Sequence, residues 1–248
     1  MHRTEIDVLD SPPVLLTAGG SFTGSEKVTV EHVIARALTE AEHPVEDARI
    51  RITRHRGPVP FVVVQTNVTV AERLVRAQST APTVAEATDR AAARLSHRLS
   101  LLGRCLSGAA AGQRGVAGTP PAPPPDALPA RTGPWRPATG RGLLRSKLVA
   151  LAVLPPAAAA LTMTLRDYDF HLFADDDTGA DTVVHRTGSG GYGLLSLPGD
   201  ALPLPKAVER LNAALAQPYL FFADPGTRRG RVLYRRYDGH LGLIAPVW

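Results

Sequence analysis

The carboxyl-terminal part of this sequence is written twice. Residues 168–198 align without a gap on residues 217–247 at an offset of 49. The two stretches share Phe173/Phe222, Ala174/Ala223, Asp175/Asp224, Thr178/Thr227, Val183/Val232, Arg186/Arg235, Gly190/Gly239, Gly193/Gly242 and Leu194/Leu243. Upstream, Pro155, Leu161 and Leu165 match Pro205, Leu211 and Leu215 at an offset of 50. Self-similarity at this period means one supersecondary unit occurring twice. Each copy reads as a short helix followed by a glycine-turned strand meander.

Residues 107–142 set the repeats apart from the rest of the chain. They hold eight prolines, Pro123, Pro124 and Pro125 among them, with mainly glycine, alanine and a few polar residues between. A stretch without apolar periodicity cannot bury enough surface to offset the cost of ordering, so it reads as a linker. Fully extended it spans roughly 110–120 Å at ~3.3 Å per residue. The chain then divides into an N-terminal domain (1–106), the linker (107–142), a first repeat (143–199) and a second repeat (200–248).

In the N-terminal domain Val30, Val33, Ile34, Ala37, Leu38 and Ala41 keep helical spacing until Pro44. Ala48, Ile50 and Ile52 then alternate with Arg49, Arg51 and Thr53, residues 61–68 are rich in β-branched side chains, and residues 72–77 alternate weakly. A second helix starts after Thr83 and repeats Val84, Ala87, Ala91, Leu95, Leu99 and Leu102. With a strand near residues 5–9 the order is β-α-β-β-β-α, one sheet covered by two helices on one face. The fold class is α+β.

The sequence argues against several classes. The single cysteine, Cys105, makes no internal disulfide. The first ten residues carry three acids and no apolar run, unlike a signal peptide. The 18 uncharged residues at 148–165 are interrupted by Pro155 and Pro156, which fits a strand ending near Leu154 and a helix with proline in its first turn, not a membrane span. Gly188-Ser-Gly-Gly-Tyr-Gly193 has the letters of a dinucleotide loop, but strand and turn residues follow it where a helix is required. The eight histidines lack metal-ligand spacing, and Asp175, Asp176, Asp177 and Asp181 lack the glycine and glutamate of a calcium loop. No catalytic group, metal or cofactor is expected.

The charge points elsewhere. The net charge is +5, from 28 basic and 23 acidic residues, which is compatible with a nucleic-acid partner without establishing one. On the second helix Arg90, Arg94, His97 and Arg98 recur every three or four residues, with Arg104 beyond and Arg73 and Arg76 nearby in sequence. Such a stripe suits phosphates, and equally suits an ordinary solvated helix face. Residues 143–200 carry four basic and seven acidic residues, and residues 201–248 carry seven basic and three acidic. Arg228, Arg229, Arg231, Arg235 and Arg236 make the second copy basic. The copies could pair through opposite charge, or the basic one could face RNA.

The segment Tyr234-Arg-Arg-Tyr-Asp-Gly-His-Leu-Gly-Leu-Ile244 resembles the hallmark strand-turn-strand of the C-terminal domain of long-form ribosome hibernation promoting factors. Phe221-Phe-Ala-Asp224 resembles the strand before it. The first copy is similar to the same domain through Leu144-Arg-Ser-Lys147, Tyr168-Asp-Phe-His-Leu-Phe173 and the stretch 186–195, but has Thr187 and Ser189 where basic and acidic turn residues are usual. The second copy lacks the Arg-x-Lys opening strand. Ala87-Thr-Asp89, leading into the basic helix, resembles the family's ribosome-binding domain, and two tandem C-terminal copies resemble its actinobacterial, dormancy-linked branch.

The resemblance implies a cytoplasmic, non-enzymatic protein with the ribosome as partner, chiefly small-subunit rRNA, that blocks transfer RNA and messenger RNA in the decoding cleft and stabilises idle single ribosomes. The rival is a non-ribosomal RNA-binding or transcription-regulating module. In single-copy relatives the C-terminal domain pairs between molecules. Here the two repeats are expected to pair within one chain as a pseudo-dimer through Phe173, Val183, Phe222, Val232 and Tyr234, leaving a monomer with no sticky edge.

Overall fold

The computed structural model describes residues 14–56, 60–110, 142–187, 191–236 and 239–247. The chain divides into two units, Met1–Val116 with Leu165–Asp167, and Ala117–Thr164 with Tyr168–Trp248.

The first unit runs β1 (Val14–Gly19), α1 (Gly24–Leu38), β2 (Val45–His55), β3 (Phe61–Val70), β4 (Arg73–Ala81) and α2 (Val84–Ala110), with the strands side by side in that order. β1 is parallel to β2, and the others pair antiparallel. Helix α1 starts where Thr23 and Glu26 close a capping box: the Glu26 N–H donates to Thr23 Oγ1 at 3.1 Å and the Thr23 N–H to Glu26 Oε2 at 2.8 Å. Val30 and Ile34 of α1, with Ala87, Ala91, Leu95 and Leu99 of α2, are buried together with Ile50, Ile52, Val62, Val64 and Val75 of the sheet. The element order is the expected one, but its first strand is Val14–Gly19; residues 5–9 lie outside the described residues. As an edge strand β1 is poorly covered, with Leu15 59% exposed, so it shows little of the alternation that marks a half-buried strand. Helix α2 also takes in residues 107–110, leaving 111–141 of the linker outside the described residues.

The second unit contains β5 (Leu143–Val149), β6 (Val153–Leu154), α3 (Pro156–Leu165), β7 (Phe170–Asp175), β8 (Asp181–Arg186), β9 (Tyr192–Ser196), α4 (Leu204–Ala213), β10 (Tyr219–Ala223), β11 (Gly230–Arg235) and β12 (Leu241–Pro246). Its sheets run β6-β7-β8-β9 and β10-β11-β12-β5. Strand β5 therefore leaves the repeat to which its sequence position assigns it. It lies parallel to β12, with Gly242 opposite Arg145 and Ile244 opposite Lys147. The second copy needs no opening strand of its own, because the first copy's strand fills that place.

Equivalent residues do equivalent work in the two copies. Asp175 Oδ1 accepts from the Thr178 N–H at 3.0 Å, and Asp224 Oδ1 from the Thr227 N–H at 2.9 Å, each closing the same turn. That turn needs a left-handed residue, Gly179 at φ 67° in one copy and Arg228 at φ 57° in the other. Arg186 Nε donates to the Tyr168 carbonyl at 3.1 Å, and Arg235 Nε to the Gln217 carbonyl at 3.0 Å.

Strand parity sorts the apolar side chains. Phe173 packs with Ala159, Met163 and Val184 under α3, and Phe222 with Ala207, Leu211 and Leu233 under α4. The opposite faces form one shared cluster of Phe170, Leu172, Val183, Phe221 and Val232, flanked by Leu195, Tyr219, Tyr234 and Ile244. Of the five residues expected to join the repeats, Val183, Val232 and Tyr234 lie in this cluster. Phe173 and Phe222 do not, since their side chains point to the helix side of their own sheets. The expectation of no open edge is also corrected: among the described residues β9 pairs only with β8.

Tyr219 packs at a tilt against Phe170 with ring centroids 4.6 Å apart, and burial, with the nearby charge of Asp169, pushes its phenol up to about 12. A raised phenol pKa costs nothing below the ordinary value near 10 and weakens the fold as pH rises from there toward about 12. Alkaline absorbance titration should show a late tyrosine component that disappears in Tyr219→Phe. A curve unchanged by the substitution would count against this assignment.

Candidate nucleic-acid interface

The helices cover one face of the first sheet, so alternate residues of its strands face the other way. Ala48, Ile50 and Ile52 turn toward the core, while Arg49 and Arg51 are exposed. Cross-strand pairing extends the pattern: Arg49 lies opposite Asn67 and then Arg76, and Arg51 opposite Gln65 and then Gln78. Arg76 donates to Gln65 Oε1 at 3.2 Å and to Gln78 Oε1. Arg49 pairs with Asp47 at 3.0 Å, with 67% of its side chain exposed. The result is a face of guanidinium and amide groups, donors matched to phosphate oxygens and to base edges. The alternation that marks β2 as a strand also carried Arg49 and Arg51, but their part in a surface shows only when β3 and β4 are laid alongside. Arg54 belongs elsewhere, bonding Glu26 at 2.7 Å with its guanidinium 4.7 Å from the Phe22 ring centroid.

The helical stripe is divided in use. Arg90 is exposed and pairs with Glu86 at 2.5 Å, and Arg104 and Arg73 are exposed. Arg94 and Arg98 bond the carboxylate of Asp167 at 2.6 and 2.5 Å, with Arg98 only 6% exposed. Asp167 also accepts from the Gln78 N–H at 2.7 Å. A buried carboxylate needs this company, so the two arginines serve the protein's interior. Burial, helped by the charges of Arg98 and Arg104, lowers the His97 pKa below its ordinary value, which disfavours the imidazolium form.

In the second copy Arg235 is buried and holds carbonyls at the end of α4, including Ala214 at 3.1 Å and Leu211. It is not available to RNA in this structure. Arg229 makes a two-pronged bond to buried Asp181 at 2.9 and 3.0 Å, which raises its pKa further. Arg231 pairs with Asp224 at 2.9 Å, and Arg228 is exposed and donates to the Gly199 carbonyl at 2.9 Å. Arg236 follows the end of β11. Sequence reasoning counted these charges as surface because it does not show which carbonyls a helix end leaves unpaired.

Among the described residues the one grouping with metal-ligand spacing is Asp175, Asp176 and Asp177. Asp175 Oδ1 is already engaged by Asp177 and Thr178 as a turn device, as its twin Asp224 is. No described helix is long and apolar enough to cross a membrane.

Fold and surface together define a two-unit α+β protein, with a basic sheet face in one unit and a duplicated β-rich module in the other. Residues 140–194 match the family described as Sigma 54 modulation/S30EA ribosomal protein C terminus. Similar solved structures include a ribosomal subunit interface protein from Coxiella burnetii, at 15% identity and TM-score 0.31 over 37% of this chain and 97% of that one. Another is the Thermus thermophilus Protein Y N-terminal domain, at 19% identity and TM-score 0.32 over 37% and 98%. The chain is 30% identical over 261 residues to the Dormancy associated translation inhibitor of Mycobacterium tuberculosis, in strains CDC 1551 / Oshkosh and H37Rv, covering 95% of this chain and 89% of the relative. The chain belongs to the ribosome hibernation promoting factor family, in its dormancy-linked branch with two tandem C-terminal domains.

Proposed function

We propose that this protein is a ribosome-associated translation inhibitor that acts by occupancy and without covalent chemistry. The observation that carries this reading is the likeness to a protein named a translation inhibitor across 95% of the chain, both units included. The basic sheet face supplies the contact: Arg49, Arg51 and Arg76 meet rRNA phosphates while Gln65, Asn67 and Gln78 add neutral hydrogen bonds, with exposed Arg73, Arg90 and Arg104 at its margins. Bound in the small-subunit decoding cleft, the first unit excludes messenger and transfer RNA in the cytoplasm.

The second unit acts as an intramolecular pseudo-dimer. In support of this, the shared cluster is built from equivalent positions, Phe170 with Tyr219, Leu172 with Phe221, Val183 with Val232 and Leu195 with Ile244. Self-complementary contacts of this kind characterise two-fold pairing. The connector of residues 197–203 holds the copies at roughly millimolar effective concentration, ahead of any second molecule. The protein therefore stabilises single ribosomes as a monomer.

Purified ribosomes mixed with the full chain should carry it in the monosome peak of a sucrose gradient, and translation in a reconstituted system should fall in proportion. A dominant ribosome-dimer peak would overturn the intramolecular pairing. Equal binding to an unrelated structured RNA, without inhibition, would favour a non-ribosomal RNA-binding module.

A further inference from the structure

We propose that the outer edge of β9 is a docking site for an extended, basic segment of another protein, which adds there as a parallel strand. The inference goes beyond ribosome binding and depends on the second unit alone.

The second sheet shows the mode. Its β12 edge is covered by β5, and the helix-side residues of β12 are buried: Leu241 at 0%, Leu243 at 5% and Ala245 at 5% exposure. The equivalent residues of β9 are Tyr192, Leu194 and Ser196. Leu194 is 50% exposed and Ser196 is exposed, on a strand whose other neighbour among the described residues is missing. One fold thus offers the same edge twice and fills it once. An unpaired row of backbone donors and acceptors beside an exposed leucine is a template for strand addition.

The chain's own β5 does not serve this edge. Only residues 150–152 separate β5 from β6, and β6 sits at the opposite margin of the sheet, three strands from β9. The second copy carries no strand of the β5 kind. Among the described residues there is thus one such strand for two edges, and the β12 edge takes it.

Charge selects the partner. The β7–β8 turn lies at the end of the sheet where Thr182 pairs with Ser196. It exposes Asp176 and Asp177 where the second copy has Pro225 and Gly226. Ala180 and Thr182 stand where the second copy has Arg229 and Arg231, and although Arg229 reaches across to Asp181, Asp176 and Asp177 stay exposed, so this end of the sheet is acidic. The strand already bound to the twin edge defines the apolar half of the fit, with Leu143, Ser146 and Leu148 in register with Leu241, Leu243 and Ala245; the acidic turn adds the preference for basic residues between them.

The test uses the full chain and a labelled peptide of residues 142–150, read by fluorescence anisotropy, with hydrogen exchange to locate it. Saturable binding with new protection at Tyr192–Ser196 is expected, weakened about tenfold in Leu194→Lys, which removes an apolar contact and adds a like charge. Arg145→Glu and Lys147→Glu in the peptide should weaken it comparably, and methylation of alternate backbone nitrogens should abolish it. The proposal fails if no saturable binding occurs up to millimolar peptide, or if protection changes only at Leu241–Pro246, where the peptide would be displacing β5. It also fails if the acidic peptide binds equally well, or if the chain dimerises through an edge that Leu194→Lys closes, since the occupant would then be a second copy.

Discussion

Phe221→Ala should destabilise the second unit by about 3–5 kcal/mol, the usual cost of emptying a buried phenylalanine site, and should loosen both repeats together. Phe221 is 7% exposed in the cluster shared by the two copies, and its ring lies 2.6 Å from where a side chain on Gly230 would begin. Beside it the Gly230 N–H donates to Asp181 Oδ2 at 2.6 Å, so ring, glycine and carboxylate form one contact between the repeats. Phe222→Ala should cost about as much, but its cavity opens under α4, within one copy. Hydrogen exchange separates the two. Phe221→Ala should speed exchange in β7, β8, β10 and β11 alike, whereas Phe222→Ala should act first on α4 and β10. If β7 and β8 keep wild-type protection in Phe221→Ala, the shared cluster does not couple the copies.

What the sequence made legible was periodic. The offset of 49 located two copies of one unit, and the alternation Ala48, Ile50, Ile52 located β2 and told which of its faces is buried. The same logic failed by one residue at Phe173 and Phe222. Both are apolar and shared between the copies, yet so are their neighbours, and alternation cannot say which face of a two-sided strand meets the other sheet. The position of β5 was not legible either, because adjacency in sequence favours pairing within a copy. The one trace of it was the missing Arg-x-Lys strand in the second repeat. Charged residues misled in a different way. Arg98 and Arg235 look like surface groups by type, but both are buried, one on the Asp167 carboxylate and the other on the carbonyls ending α4. Arginine can be buried when most of its donors find acceptors, and the acceptors come from distant parts of the chain.

Ribosome binding should depend on Arg49, Arg51 and Arg76 far more directly than on Arg94 and Arg98. Replacing the first three by glutamine removes three phosphate contacts from the sheet face. The slope of log affinity against log salt should fall by about 2–3, and binding at low salt should weaken roughly a hundredfold or more. Replacement by glutamate adds repulsion and should abolish cosedimentation. None of the three is fully buried, and Arg49 pairs with the half-buried Asp47, so the melting temperature should stay near that of the wild type. Arg94→Gln with Arg98→Gln should do the reverse. The side chain of Asp167 is 0% exposed, and losing both partners leaves a buried charge uncompensated, a defect of about 3–5 kcal/mol. The first unit should then melt earlier, while the salt slope measured below the melting transition stays nearly unchanged. Should the Arg94/Arg98 variant instead lose its salt dependence while remaining folded, the helix is the surface that meets rRNA and the sheet face is not.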